Sequence, residues 1–122
     1  MSVYEDLLAK KTKLAVVGLG YVGLPLALEF ARRIPVIGFD LNPAKVALMQ
    51  SGVDPNKEVA AEEFIKRDIV FTSDVAALAE ASFFIVAVPT PVDKYNVPDL
   101  KPLISASTTL GGVLKKGDYV VY

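Results

Sequence analysis

The feature that most constrains the fold is a set of three glycines spaced G-x-G-x-x-G, at Gly18, Gly20 and Gly23. A short apolar segment over 13–17 comes directly before it, and a stretch of helical character over about 20–33 follows. Glycine is needed where a backbone turns tightly out of a strand and where a helix packs closely on that turn. The sequence therefore predicts a strand, a tight turn and a helix, which is the first part of a βαβ unit.

The rest of the chain repeats this alternation of short apolar runs and longer helical stretches. Such an alternation is typical of a parallel sheet with helices on its faces. We therefore expect an α/β protein with a Rossmann-type three-layer α/β/α fold and five parallel strands in the order 3-2-1-4-5. The further predicted strands are 36–39, 69–72, 83–88 and 119–122. The further predicted helices are 43–50 with Asn42 as its N-cap, 58–67, a short helix that Ser73 or Asp74 caps and that ends at Glu80, and 100–114 with Asp99 as its cap.

Two features concern domain organisation. Residues 1–12 are expected to form a helical arm and residues 13–122 one domain, in line with a typical size of about 100–200 residues per domain. The chain stops on the fifth predicted strand at Tyr122, without a turn or a closing helix. We expect a truncated sheet, in the N-terminal piece of a longer protein; the alternative is a C-terminal edge strand.

The composition excludes several classes of function. The chain has 13 Lys and Arg against 14 Asp and Glu, so it lacks the basic surplus that nucleic-acid binding uses. It has no cysteine and no histidine, which excludes thiolate nucleophiles, zinc–sulfur sites and Ser-His-Asp catalysis in these residues. The longest apolar run, 83–88, is far shorter than the ~20 residues of a membrane span, and the N-terminus is not a signal peptide. We expect a cytoplasmic protein without nucleic-acid or membrane partners.

The glycines and a later acid predict a dinucleotide site. Gly18 allows the turn, Gly20 lets a pyrophosphate approach the backbone, and Gly23 lets the helix pack on the strand. The helix N-terminus adds unpaired N–H groups and a partial positive charge. Asp40 ends the second strand 22 residues after Gly18, where a carboxylate can accept hydrogen bonds from both ribose hydroxyls of the adenosine half. The alternative is a glycine-rich turn with Asp40 capping the next helix.

The residues around Asp40 also indicate which dinucleotide binds. A carboxylate repels the 2′-phosphate of NADP, and NADP sites usually place an arginine beside that phosphate. No cation follows Asp40 until Lys45, which either reaches the edge of the ribose or is a solvated lysine on a helix. We therefore predict NAD as the cofactor, with no metal.

A second candidate segment, Val88-Pro89-Thr90-Pro91, follows the fourth predicted strand. In the order 3-2-1-4-5 this strand lies beside the first, so its carboxyl end faces the crevice where the strand order reverses. The two prolines stiffen the loop and aim the hydroxyl and backbone of Thr90 toward a bound nucleotide. The alternative is an ordinary rigid strand exit.

A family resemblance rests on three segments, which are 14–25 (LAVVGLGYVGLP), 36–40 (VIGFD) and 86–91 (VAVPTP). Together they resemble the UDP-glucose/GDP-mannose dehydrogenase family, over roughly residues 12–122. The segments 52–59 and 98–100 are most similar to its bacterial UDP-N-acetylhexosamine 6-dehydrogenases, which act on UDP-GlcNAc or UDP-GalNAc in surface polysaccharide biosynthesis.

The resemblance implies a reaction and a set of contacts. It implies oxidation of the C6 alcohol of a UDP-sugar to an aldehyde and then a carboxylate, with two NAD per turnover. The pyrophosphate is then expected at the three glycines and at the amides of Tyr21 and Val22. The resemblance also places Asp40 and Lys45 at the adenosine ribose and Thr90 beside the cofactor. Val88 and Pro89, which precede Thr90 at the exit of the fourth strand, complete the set of candidate cofactor-binding residues.

The resemblance also implies groups that this sequence lacks. Family members use a nucleophilic cysteine with lysine, asparagine and acidic helpers, and they continue beyond Tyr122 into catalytic and UDP-sugar-binding domains. Because this chain has no cysteine, we assign no catalytic residue in it and expect the chain alone to be inactive. The full-length enzyme is expected to be a homodimer that binds a UDP-sugar.

Other interpretations stay open at this point. A hydroxyacid or acyl-CoA dehydrogenase would share the glycines and Asp40 but not necessarily the segment 88–91. A non-catalytic module that senses NAD or NADH would be a complete product of this length. A methyltransferase-like fold that binds S-adenosylmethionine is disfavoured, because the full six-residue glycine spacing and two later strands are present.

Overall fold

The computed structural model describes residues 3–9, 11–20, 22–57, 59–88, 100–115 and 117–122. Its helices and strands alternate along the chain, as the sequence predicts. In chain order the elements are α1 (Val3–Leu8), β1 (Lys13–Val17), α2 (Gly23–Phe30), β2 (Val36–Phe39), α3 (Pro43–Gln50), the 3-10 helix η1 (Ala61–Phe64), β3 (Ile69–Thr72), the 3-10 helix η2 (Val75–Glu80), β4 (Ala81–Val86), α4 (Lys101–Gly111) and β5 (Tyr119–Val121).

The five strands form one parallel sheet in the order β3-β2-β1-β4-β5, which confirms the predicted order. β1 is central: Val16 lies opposite Gly38 of β2 on one side and opposite Ile85 of β4 on the other. Because the strands are parallel, the last residues of β1, β2 and β4 meet at one end of the sheet. We call it the carboxyl end, and the end where the strands begin the amino end.

Two hydrophobic cores cover the two faces of the sheet. Side chains alternate between faces along a strand, so Leu14 and Val16 of β1 lie in one core and Ala15 and Val17 in the other. The first core also holds buried residues of α2 and α3, and the second holds residues of α4 and η2. β2 is buried along its whole length, as is typical of an interior parallel strand with helices on both faces.

The arm that the sequence predicts at the N-terminus contains the short helix α1. Leu7 of this helix is 4% exposed and lies in the first core together with Leu14. The helix α1 is therefore packed against the domain through Leu7. None of the helices in the described part of the chain is long and apolar enough to cross a membrane.

The polar segment 58–67 is not the helix that the sequence predicts. Its described part forms the single turn η1, and Lys66 then takes a left-handed φ of 57°. This turn brings the chain beside the end of α2, where the Asp68 N–H donates to the Ala31 carbonyl at 2.9 Å. The Asp68 carbonyl accepts from the Val36 N–H at 2.8 Å. These contacts start β3 next to β2, and a helix through this segment would leave them unformed.

Several other bounds differ from the prediction. β4 begins and ends two residues earlier than predicted, because its pairing with β1 sets its ends. The last residue of β1, Val17, lies opposite Val86 and accepts from the Ala87 N–H at 2.8 Å. α2 and α4 are shorter at both ends than predicted. η2 is a 3-10 helix, and Asp74 caps it by accepting from the Ala76 N–H at 3.0 Å. The predicted cap Asp99 lies outside the described residues.

Candidate cofactor site

The glycine turn lies at the carboxyl end of the sheet, between the exits of three strands. Gly18 has a φ of 99°, and its N–H donates to the carbonyl oxygen of Phe39 at 2.9 Å. A Cβ atom at Gly18 would lie 3.0 Å from backbone atoms of Ala87 and Val88, which follow β4. Glycine is therefore required here twice, for the left-handed backbone and for the close approach of β1 to the end of β4.

The other two glycines of the turn have opposite surroundings. A Cβ atom at Gly23 would lie 1.7 Å from the carbonyl oxygen of Gly18, so α2 rests directly on the turn. A Cβ atom at Gly20 would meet no heavy atom of the described residues within 4 Å. Packing therefore explains Gly18 and Gly23, and it leaves Gly20 facing open space. An open backbone at this position fits the approach of a dinucleotide pyrophosphate.

The amino terminus of α2 lies beside this opening. Its N-cap residue, Val22, makes no side-chain cap and is 70% exposed. The first N–H groups of a helix lack partners within the helix, and they carry the positive end of its dipole. This terminus is therefore a favourable place for an anionic group.

Asp40 holds the turn in place from the end of β2. One carboxylate oxygen, Oδ2, accepts from the Leu19 N–H at 3.1 Å, and Oδ1 accepts from the Asn42 N–H at 3.0 Å. A carboxylate offers about four acceptor positions, so both oxygens keep capacity for a further donor such as a ribose hydroxyl. The side chain is half-buried, which leaves it accessible from the cleft described below.

Asp40 is not the cap of the next helix. That role belongs to Asn42, whose side-chain oxygen accepts from the Ala44 N–H at 3.0 Å and from the Lys45 N–H at 3.3 Å. The alternative in which Asp40 merely caps α3 is therefore wrong. Lys45 lies in the first turn of α3 and is exposed, and no ion pair holds it among the described residues.

A cleft of about 400 Å³ opens at the carboxyl end of the sheet, next to the glycine turn. One wall consists of the ends of β1 and β2 together with Asp40 and Leu41, and Val88 lines it from the end of β4. The opposite wall is α4, which contributes Lys101, Pro102, Ser105, Ala106 and Thr109.

The α4 wall was not singled out from the sequence. Ser105 and Thr109 are four residues apart, so they share one face of the helix, and both line the cleft with Asp40. The available signal was this spacing of two hydroxyl side chains in the helix after the Thr90 loop. Hydroxyl groups can both donate and accept, which suits contacts to a base or a ribose.

The structure brings most of the predicted site residues that it describes into one region. Gly18, Asp40 and Val88 line the cleft, and Gly20, Val22 and Gly23 form the adjacent turn and helix start. Lys45 is not one of the residues that line the cleft. The predicted residues Tyr21, Pro89 and Thr90 lie outside the described residues.

Residues 12–122 match the UDP-glucose/GDP-mannose dehydrogenase family, NAD binding domain. The chain belongs to the UDP-glucose/GDP-mannose dehydrogenase family. NAD is the cofactor of this domain, which confirms the predicted cofactor. Membership in this family also decides against the hydroxyacid and acyl-CoA dehydrogenases, which the glycines and Asp40 alone left open.

Two relatives in the family are each 49% identical to this chain. They are the UDP-N-acetyl-D-glucosamine 6-dehydrogenases of Salmonella typhi, over 113 residues and 92% of this chain, and of Pseudomonas aeruginosa, over 114 residues and 93% of this chain. The structure of the UDP-D-ManNAc dehydrogenase from Pyrococcus horikoshii superimposes with a TM-score of 0.81 at 31% identity, covering 88% of this chain and 27% of that one. The chain spans about 27% of the length of the two curated relatives.

Proposed function

We propose that the chain is the NAD-binding domain of a UDP-N-acetylhexosamine 6-dehydrogenase, which oxidises the C6 alcohol of a nucleotide sugar to a carboxylate in two NAD-dependent steps. The observation that carries the proposal is the open backbone at Gly20, in a turn whose other glycines are fixed by packing. The substrate class is supported by the two UDP-N-acetyl-D-glucosamine 6-dehydrogenases at 49% identity. The product, a nucleotide sugar with a C6 carboxylate, is of a kind used in polysaccharide biosynthesis.

The pyrophosphate of NAD is assigned to the glycine turn and the start of α2. The backbone of Gly18, Gly20 and Gly23 and the amides of Tyr21 and Val22 would hold it. The support is that no described atom would block a group at Gly20 and that the helix terminus carries partial positive charge. These contacts use backbone groups. A side chain at these positions therefore matters only if it would occupy the space of the pyrophosphate.

The adenosine ribose is assigned to Asp40, with Lys45 near its outer edge. Asp40 already has both oxygens oriented by backbone N–H groups at 3.1 and 3.0 Å, so its carboxylate is positioned before a ligand arrives. Preorganisation of this kind lowers the cost of binding. The negative charge at this position disfavours a 2′-phosphate and selects NAD over NADP.

The remaining contacts are assigned to the exit of β4 and to α4. Val88 lines the cleft, and Pro89 and Thr90 follow it in sequence, so we place all three beside the cofactor. Ser105 and Thr109 offer hydroxyl groups from the opposite wall. Bound NAD supplies a hydride acceptor, and the residues of this chain bind and orient it.

The oxidation itself is assigned to groups outside these 122 residues. The sequence has no cysteine, and relatives in the family are several times longer. Within the chain we propose a division into an arm over 1–12 and the NAD-binding domain over 13–122. The family match begins at residue 12, which supports this boundary.

We also propose that the full-length enzyme is a cytoplasmic homodimer that binds a UDP-sugar through its other domains. The location is supported by the NAD-binding domain, because its cofactor must be available where the enzyme works. Light scattering of the full-length enzyme tests the dimer, and a monomeric mass would contradict it.

The cofactor assignment is tested by calorimetric titration of this chain with NAD and with NADP. We expect NAD to bind at least ~10-fold more tightly, a difference of ~1.4 kcal/mol. In the variant Asp40→Asn the affinity for NAD should fall about tenfold, while NADP loses less because a repulsive charge is removed. Glu62→Gln, an exposed acid on η1, is the matched control and should leave both affinities unchanged.

Two outcomes would contradict the assignment. Equal or tighter binding of NADP would show that Asp40 does not contact the ribose. An unchanged preference for NAD in Asp40→Asn would show that selectivity comes from another group. Activity of the full-length enzyme toward UDP-N-acetylglucosamine and UDP-glucose then tests the substrate class separately.

A further inference from the structure

A second and larger cavity lies at the amino end of the sheet. It measures about 660 Å³ and lies between α1, the end of α2 and the first residues of β1 and β4. We call it the amino-end groove. Its volume is within the ~300–1,000 Å³ that small-molecule sites occupy. It shares no lining residue with the cofactor cleft.

The floor and walls of the amino-end groove are apolar. Leu7, Leu14 and Ile34 form a buried floor, with exposures of 4, 3 and 7%. The aromatic side chains of Phe30 and Phe83 line the walls, and Phe30 is 37% exposed. An apolar body placed here would cover surface that the chain itself leaves accessible to water.

The rim of the groove is positively charged. Glu29 is the one acid among the described lining residues, and it already pairs with Arg32 at 3.3 Å. Arg33 and Lys66 also line the groove, and neither has an acidic partner within the described part of the chain. The rim therefore offers two cations for which the described lining residues supply no counter-charge.

These two cations come from segments that are distant in sequence. Arg33 follows α2, where a cation complements the negative end of the helix dipole. Lys66 has no such reason to be there, because it lies in the left-handed turn before β3. The hydrogen bond between the Asp68 N–H and the Ala31 carbonyl, 2.9 Å long, brings the two segments together. The tertiary structure thus brings two cations to the rim of one apolar cavity.

We propose that the amino-end groove binds a small soluble amphipathic carboxylate. Its apolar body lies against Leu14, Ile34 and Phe83, and its carboxylate lies between Arg33 and Lys66. The charge of the rim selects an anion, and the apolar lining selects a ligand with a hydrocarbon body. This site is separate from the proposed cofactor site, and each can be tested without the other.

The test uses octanoate, with octanol as an uncharged ligand of the same length, followed by amide chemical shifts in NMR spectra of this chain. We expect octanoate to shift Leu14, Ile34 and Phe83 with a dissociation constant of ~1 mM or lower. Octanol should bind at least ~10-fold more weakly. The double variant Arg33→Gln/Lys66→Gln should lower the octanoate affinity to that of octanol and leave octanol unchanged.

A matched control is Lys57→Gln. Lys57 is an exposed lysine with the same φ of 57° as Lys66, and it does not line the groove. It should leave octanoate binding unchanged. Equal affinity for octanol, or full octanoate binding in the double variant, would overturn the proposal. So would shifts confined to Gly18 and Asp40, which place the ligand in the cofactor cleft, or a doubled molecular mass together with loss of the octanoate shifts at Leu14, Ile34 and Phe83, which shows that a second copy fills the groove.

Discussion

The two ends of the sheet are built differently. At the carboxyl end, the positions of the site residues are fixed by backbone contacts: Gly18 against the exit of β4, Gly23 against Gly18, and the Asp40 carboxylate against the Leu19 N–H. At the amino end, the groove is lined by side chains such as Leu7, Phe30 and Phe83. One end depends on the absence of side chains, and the other depends on their volume.

This difference has consequences for substitutions at the two ends. A turn held by backbone contacts tolerates no added atom where it is packed, but it accepts a ligand where it is open. A groove held by side chains tolerates changes of shape more readily, because side chains repack at moderate cost. A substitution at Gly23 should therefore lower both stability and NAD affinity. A substitution at Gly20 should lower NAD affinity alone, and one at the amino end should lower stability alone.

The largest effect is expected for Gly23→Ala. The added Cβ would lie 1.7 Å from the carbonyl oxygen of Gly18, so α2 and the turn must separate. We expect a loss of ~3 kcal/mol in the free energy of unfolding by urea titration, together with loss of NAD binding. Gly111→Ala in α4, which meets no atom within 4 Å, should instead be neutral or stabilising. A variant of native stability at position 23 would refute the close packing.

A smaller loss of stability is expected for Leu7→Ala at the amino end. Leu7 is 4% exposed in the first core. Because it borders an open groove where neighbours can relax, its truncation should cost ~2–3 kcal/mol, at the lower end of the ~2–5 kcal/mol of buried leucines. Calorimetry should show an NAD affinity within about twofold of the native chain, since Leu7 is remote from the cofactor cleft. Leu8→Ala, at 45% exposed, is the control and should cost less than ~0.5 kcal/mol. Loss of NAD binding in folded Leu7→Ala would show that the two ends are coupled.

The smallest effect, and the most selective, is expected for Gly20→Ala. Its Cβ meets no atom of the described part of the chain within 4 Å, so the free energy of unfolding should change by less than ~0.5 kcal/mol. The methyl group would occupy the space assigned to the pyrophosphate, and NAD affinity should fall by about tenfold, or ~1.4 kcal/mol. The same two measurements on Gly23→Ala give the comparison. Unchanged NAD affinity would move the pyrophosphate away from Gly20.

Much of the fold could be predicted because its signals are local. The bounds of β1, β2, α3 and β3 agree with the sequence prediction, since apolar runs there stop at residues with a clear turn or capping role. Asn42 is an example: its side chain caps α3 as its position before Pro43 predicts. The cofactor turn could be predicted for the same reason, because its glycines and their flanking strand and helix lie within one short stretch of chain.

The prediction failed where distant parts of the chain decide the structure. The polarity of 58–67 suggests a surface helix, but the segment turns at Lys66 so that Asp68 can bond to Ala31. Likewise, the sequence shows that Ser105 and Thr109 share a helix face, but only the packing of α4 places that face opposite Asp40.

The sequence by itself determined the parallel sheet, its strand order, the glycine turn with Asp40 beside it, and NAD as the cofactor. These follow from local periodicity and from glycines whose spacing has a steric reason. The tertiary structure alone decided which polar side chains of α4 line the cleft beside Asp40 and that Arg33 and Lys66 both line one apolar groove. The reason is that convergence depends on hydrogen bonds and packing between segments far apart in the chain, which no local pattern encodes.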